Sequence, residues 1–355
     1  MTNSTSHAPP IVDRTAEIER ILKHRVMVLD GAWGVMIQTL QLPESEFRGE
    51  QFADHESDLR GCVDVLSLTR PDLIRSIQRQ YLDAGADILT TNTFTATRFG
   101  LSEFGLENSV HDINREGARL ARIIADEYTQ RNPEKPRFVA GSIGPTNKTL
   151  SLSPAVDDPG YRDISFDEIV EAYSEAVRGL LDGGVDILLV ETVFDTLNAK
   201  AALYAIEKVF DDIGARVPVM ASFTAVDMSG RNLSGQTVEA FYASVSHIPL
   251  LSVGINCSLG SEQIRPFLAE LADVSSHFVS CHPNAGLPNE FGEYDESPAY
   301  MAANLLEFAE SGLANIVGSC CGSTPRTHSS YCGGRRRYHA SQPALSNSKH
   351  NPEWP

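Results

Sequence analysis

The sequence predicts a closed (β/α)8 TIM barrel. Eight short apolar runs recur along its 355 residues, amphipathic helical segments fill the gaps, and most runs turn small or polar at their C-terminal ends. This length is long for one domain, but α/β barrels routinely exceed the usual domain size. An open doubly wound sheet is the other fold that the alternation allows. No G-x-G-x-x-G follows the first run, which weakens a dinucleotide-binding version of it.

The apolar runs are RVMVLDGAWG (25–34), ADILTTNTF (86–94), RFVAGSIGP (137–145), VDILLVETV (185–193), VPVMASFTA (217–225), LLSVGINCS (250–258), HFVSCHPNAG (277–286) and ANIVGSCCG (314–322). Runs this apolar fit strands buried on both faces of a parallel sheet. The first clear helix, 71–85, opens on Pro71, closes at Gly85, and spaces Leu73, Ile74, Ile77, Tyr81 and Leu82 along one face. Helical periods follow at 112–128, 165–184, 196–210, 237–248, 261–274 and 298–312. The phrases "DAGADIL", "DGGVDIL" and "ESGLANIV" each read as a helix stop, a glycine and the next strand.

Composition narrows the class of protein. The chain is 42% hydrophobic and 21% charged, ordinary values for a globular protein, and it contains no apolar run long enough to span a membrane. A net charge of −18 argues against general affinity for nucleic acid. The N-terminus lacks the basic and apolar stretches of a secretory signal, so residues 1–19 read as a disordered leader and the compartment as the cytoplasm. Six cysteines are too few for a disulfide scaffold and, in a reducing compartment, point to metal binding or catalysis.

A barrel places its chemistry at the C-terminal ends of its strands. Those ends carry Asp30-Gly31, Thr91-Asn92-Thr93, Glu191-Thr192, Asn256-Cys257, His282-Pro283-Asn284 and Cys320-Cys321. The fold thus brings Cys257, after the sixth run, onto the same rim as Cys320 and Cys321, after the eighth. Adjacent cysteines point to opposite faces in a strand, so both can face one point only where the strand ends and turns. Gly318 and Gly322 make such a turn easy. Three thiolates suit zinc with a fourth position left open, while a packing role for small buried thiols stays open on spacing alone. Such a site suits thiol chemistry, because a substrate thiol that becomes the fourth ligand is deprotonated at neutral pH. Cys281 and His282 share the rim and read as packed neighbours. Cys62 and His24 read as structural, and the acidic helix face near 165–173 as solvated. No strand end carries a Schiff-base lysine, since Lys148 falls in a loop beyond the third strand.

At these residues the chain resembles the homocysteine S-methyltransferase family, in particular the homocysteine-binding module of cobalamin-dependent methionine synthase. The resemblance runs from about residue 20 to 327 and rests on "LDGAWGVMIQ" (29–38), "GPTNKTLSLSPAVDDPGYR" (144–162), "ETVFDTLNAKAA" (191–202), "SGRNLSGQT" (229–237), "GINCSLG" (254–260), "HPNAGLPNEFGEYDE" (282–296) and "NIVGSCCGSTP" (315–325). It implies a barrel that methylates the sulfur of homocysteine, with zinc on Cys257, Cys320 and Cys321. It also implies that Asp30 and Glu191 hold the substrate's amino group. Read as sequence alone, Asp30 is equally a turn residue and Glu191 a charge at a helix start. Asn256, Thr91 and Thr93 are further candidates for substrate contacts. Backbone N–H groups near Gly31 and from Ser142 to Gly144 are candidates for the substrate carboxylate.

Two departures from the family qualify what it implies. The cobalamin motif D-x-H-x-x-G is absent, so methylcobalamin is expected as donor from a cobalamin-binding module elsewhere, beside a folate-binding module. The alternatives are a standalone enzyme using S-methylmethionine or a betaine, and a fragment that binds homocysteine or zinc without turnover. From residue 328 the chain loses helical apolar period, and residues 323–355 carry +4 against −22 for residues 1–322. The segment 328–355 is therefore expected to be a disordered, out-of-frame tail, and the barrel 20–327 to lack its normal last helix.

Overall fold

The computed structural model describes residues 11–290 and 294–334. Eight parallel strands are formed: β1 (Met27–Val28), β2 (Ile88–Thr90), β3 (Phe138–Ile143), β4 (Ile187–Val193), β5 (Val219–Phe223), β6 (Ser252–Gly260), β7 (Phe278–Asn284) and β8 (Ile316–Val317). Seven fall inside one of the eight apolar runs, and β6 starts inside the sixth and extends two residues beyond it. The sheet order β1-β8-β7-β6-β5-β4-β3-β2 is closed by a parallel bridge between Leu29 and Ile88, so the fold is the expected (β/α)8 barrel.

Alternation along the strands divides the core. Met27, Leu29, Ile88, Phe138, Ala140, Ile187, Leu189, Met220 and Ile316 face inward and fill the barrel's lower interior. Val28, Val139, Leu188, Val219, Val253, Val279 and Val317 face outward beneath the helices. The upper interior is polar: Asp30, Thr90, Ser142, Asn256 and His282 are all buried there.

The seven expected helices form, at Pro71–Asp83, Val110–Arg131, Phe166–Asp182, Thr196–Ile213, Val238–Val245, Ser261–Val274 and Pro298–Glu310. Ser165 and Glu168 make a reciprocal capping box at the start of Phe166–Asp182, so the acidic charges at that end serve the helix N-terminus. Short helices not expected from the sequence occur at Trp33–Gln38, Glu44–Arg48, Leu66–Thr69 and Arg98–Ser102.

Two boundaries differ from the sequence reading. Helix Thr15–Leu22 begins within the expected leader and puts Ile18, Ile21 and Leu22 into the barrel's interior cluster. Arg14 locks it there, with its guanidinium 4.2 Å from the Phe138 ring centroid and 3.3 Å from Asp186. Burial of those three apolar side chains, not composition, brings the helix into the barrel's body; residues 1–10 lie outside the described residues. At the other end, helix Pro325–Gly334 follows β8 and extends into the segment read as tail. Its Tyr331 and His328 are buried against the barrel wall. The remainder, 335–355, lies outside the described residues. Among the described residues, no helix is long and apolar enough to cross a membrane.

Candidate active site

Cys257, Cys320 and Cys321 converge at the C-terminal rim, with their sulfurs all within 4.8 Å of one another. Cys257 and Ser258 interrupt β6 with φ of 63° each, a left-handed backbone that non-glycine residues hold only under constraint. β8 ends at Val317, so Cys320 and Cys321 sit in a turn and escape the alternation of a strand. That turn docks on the end of β7: Cys320 N donates to Pro283 O at 2.8 Å, Cys321 N to Asn284 Oδ1 at 3.1 Å, and Ala285 N to Cys321 O at 2.8 Å. The Sγ separations are 3.8 Å for Cys257–Cys321 and 4.0 Å for Cys320–Cys321. A tetrahedron with zinc–sulfur bonds of about 2.3 Å has edges of about 3.8 Å, which these two separations match, and the third lies within 4.8 Å. Three thiols this close do not all ionise unless a cation sits among them. Hydrogen bonds from Cys257 and Cys320 hold Cys321 low, at about 3. Hydrogen bonds with Cys257 and Cys321, then burial, push Cys320 well above the usual thiol range.

Two carboxylates share the upper interior. Asp30 follows β1 and is buried; its Oδ2 accepts from Thr90 N at 2.9 Å and its Oδ1 from Thr90 Oγ1 at 2.8 Å. Trp33 Nε1 donates to the same Thr90 hydroxyl at 2.9 Å. Burial raises the Asp30 carboxyl far above its ordinary value despite those bonds, and the nearby Glu191 raises it further. Glu191, on β4, accepts from Ser142 Oγ at 2.6 Å and from Asn256 Nδ2 at 3.4 Å. Burial raises it to about 7. Two neighbouring buried carboxylates with this little compensation carry an electrostatic cost that a nearby cation would relieve.

Around them the expected residues divide by role. Asn256 is buried with its amide fully used: Oδ1 accepts from Thr192 N at 2.9 Å, and Nδ2 donates to Thr192 Oγ1 at 2.8 Å as well as to Glu191. It holds Thr192 at a φ of 57° and aims Glu191. Thr91 and Thr93 stitch β2 to β3: their hydroxyls lie 2.6 Å apart, Thr91 Oγ1 accepts from Ser142 N at 2.9 Å, and Thr93 Oγ1 donates to Ser142 O at 2.8 Å. Gly31 must be small, because a Cβ there would lie 2.8 Å from Ser319 Oγ and 2.9 Å from both His328 and Ser323 Oγ. Cys281 is buried facing the helices, away from the cluster, and Cys62 is buried among Leu59, Val65 and Leu66. His282 is buried, and its burial, then His328, pulls it down to about 3, so it stays neutral. Lys148 pairs with Asp163 at 2.5 Å, off the site. The sequence reading missed Thr90, the Ser142 side chain and Tyr294, whose ring lies against Gly322 next to Cys321.

The family's sequence model, described as homocysteine S-methyltransferase, matches residues 27–328. The chain belongs to the homocysteine S-methyltransferase family. As a member it is a methyltransferase, and the family match contains all three cysteines, both carboxylates and Asn256. Solved structures similar to it include the homocysteine methyltransferase MmuM from Escherichia coli. The oxidised form of MmuM aligns with a TM-score of 0.68 at 22% identity, covering 87% of this chain and 96% of that one. The metallated form aligns with a TM-score of 0.64 at 23% identity, covering 89% and 98%. At that identity the likeness to MmuM is one of fold.

Proposed function

We propose that this barrel binds homocysteine beside a zinc held by Cys257, Cys320 and Cys321 and transfers a methyl group to its sulfur. The observation that carries the reading is the cysteine geometry, with three sulfurs within 4.8 Å of one another, two of their separations near the edge of a zinc tetrahedron, beside a pair of buried carboxylates. Zinc on three thiolates supplies a Lewis acid with one free ligand position, suited to activating a thiol at neutral pH. The chain's own residues do the rest. Glu191 and Asp30 face the substrate's ammonium, and Ser142, Asn256 and Thr90 keep those carboxylates aimed. Backbone N–H groups beside Gly31 and from Ser142 to Gly144 are available to the carboxylate. A neutral His282 adds no competing positive charge.

For the donor, the reading is methylcobalamin carried on another domain or polypeptide. Loops at the rim expose Phe94, Val156, Val226, Met228, Leu233 and Leu287, which supports a donor that docks as a body. A second reading, a standalone barrel using S-methylmethionine or a betaine, is favoured by MmuM, whose whole chain has the extent of this one barrel. Zinc content of the purified protein beside Cys320→Ser tests the site. About one zinc per chain, lost in the variant, is expected; a folded wild type without zinc defeats the reading. Turnover with each donor in turn then separates the two donor classes.

A further inference from the structure

We propose that Ser323 is a positioning residue that sets the span of the site: its hydroxyl joins the turn carrying Cys320 and Cys321 to the loop carrying Asp30, and so selects homocysteine against cysteine. The proposal rests on the function proposed above, in which the thiols lie at the sulfur end of the substrate and Asp30 at its ammonium end. Ser323 is buried, and its hydroxyl uses its full bonding capacity on three partners. The Oγ donates to Cys320 O at 2.7 Å, accepts from Ser319 Oγ at 2.7 Å and accepts from Ala32 N at 3.4 Å.

These bonds reach both ends of the site. Cys320 O also accepts from Ser323 N at 3.2 Å, so the peptide that joins the two adjacent cysteines is held at its oxygen by one residue. Ser319, also buried, precedes Cys320, and its N donates to Asp30 O at 3.4 Å. Ala32 follows Gly31 in the Asp30 loop, and its O accepts from Tyr81 Oη at 3.1 Å, which holds the loop independently of Ser323. His328 Nε2 donates to Leu29 O at 2.9 Å, just before Asp30. Gly31 lies against Ser319, Ser323 and His328 with no room for a side chain. Turn and loop are therefore one unit, and the distance from the thiols to Asp30 is set by the contacts between them. Homocysteine is one methylene longer than cysteine between sulfur and ammonium. A fixed span suits one of the two, and a loosened span suits both.

Calorimetric titration of the zinc-loaded full chain with L-homocysteine and with L-cysteine reads the span as a ratio of affinities. The wild type should favour homocysteine by about tenfold to a hundredfold, the usual worth of one methylene. Ser323→Ala should lower that ratio several-fold. Ser319→Ala, which leaves the bond from Ser323 to Cys320 in place, should lower it by less. General loosening of the site would weaken both amino acids alike and leave the ratio where it was. A wild type that binds the two alike, or an unchanged ratio in Ser323→Ala, overturns the proposal; if that variant holds no zinc, an unchanged ratio in Ser319→Ala overturns it. A wild type that takes up no zinc, or binds neither amino acid, defeats the proposed function and this proposal with it. A preference for homocysteine that survives both substitutions defeats this proposal alone.

Discussion

Glu191 sits where burial opposes its charge, and that fixes how the site should respond to pH. With its carboxyl raised to about 7, it is half protonated near neutrality and loses its attraction for an ammonium below that. Homocysteine should therefore bind more weakly as pH falls from 8 to 6, and Glu191→Gln should flatten that profile while raising KM by about tenfold to a hundredfold. A variant whose KM keeps the wild-type pH profile would remove Glu191 from the substrate's ammonium. Linkage gives an independent check. The unfolded carboxyl titrates near 4.3, so between about 4.3 and 7 the folded state binds more protons, and its stability falls as pH rises through that window. Glu191→Gln, which never ionises, should gain on the wild type across it in urea titrations of substrate-free protein. The three cysteines were legible in the sequence because adjacent thiols between glycines are rare and a barrel rim gathers strand ends. Thr90 and Ser142 were not legible as functional, because hydroxyls are common on strands and their carboxylate partners lie 60 and 49 positions away.

The helix Pro325–Gly334 shows where periodicity stops being informative. Ser329, Ser330, Gly333 and Gly334 give it no apolar stripe, and His328, Tyr331 and Cys332 fasten it to the barrel. His328 Nε2 donates to Leu29 O at 2.9 Å, with its ring edge-on to Tyr81 at 5.1 Å. Tyr331 enters a niche between Val28, Leu305 and Val317. Tyr331→Ala should cost about 3 kcal/mol, read as a lower urea midpoint with an unchanged slope. A loss under about 0.5 kcal/mol would mean that the helix adds nothing to the barrel. The out-of-frame reading of this segment makes a separate claim about the coding sequence. One choice of codons for Thr327 to Gly333, read one base later, spells His-Ile-Ala-Ala-Ile-Ala-Ala, an apolar run of good helix formers. If no single-base shift in the actual nucleotides restores such a run, the reading fails. The other helix-to-strand junctions were legible because their glycines must hold a left-handed backbone. Gly85, Gly184 and Gly312, in the three repeated phrases, have φ of 110°, 88° and 71°. The four- to six-residue helices after β1 and β2 were not legible, since one turn is too short to display a period.

At the scale of the whole molecule, the cysteine cluster is also a clasp on the barrel. Its sulfurs come from β6 and from the turn after β8, with β7 between them, so an ion bound there joins segments 63 residues apart in sequence, Cys257 to Cys320. β1 and β8 pair through only two residues each, and the wall outside them rests on a helix with few apolar anchors. This is the part of the ring with the least to hold it, and it carries two of the three thiols. Metal binding to the folded state alone should therefore add to stability where the fold is weakest. At zinc a hundredfold above its dissociation constant the gain is about 2.7 kcal/mol, equivalent to about 4 °C in melting temperature for a domain of this size. Chelation should lower the melting temperature of the loaded wild type by that order and leave Cys320→Ser, already without zinc, where it was. The order of unfolding should change too. Hydrogen exchange at Met27, Val28, Ile316 and Val317 should quicken on chelation more than at Ile187 to Val190, whose strand pairs on both sides over several residues. A loaded protein whose melting temperature ignores the chelator would separate the site's chemistry from the barrel's integrity, and exchange at β1 and β8 would then be set by the final helix alone.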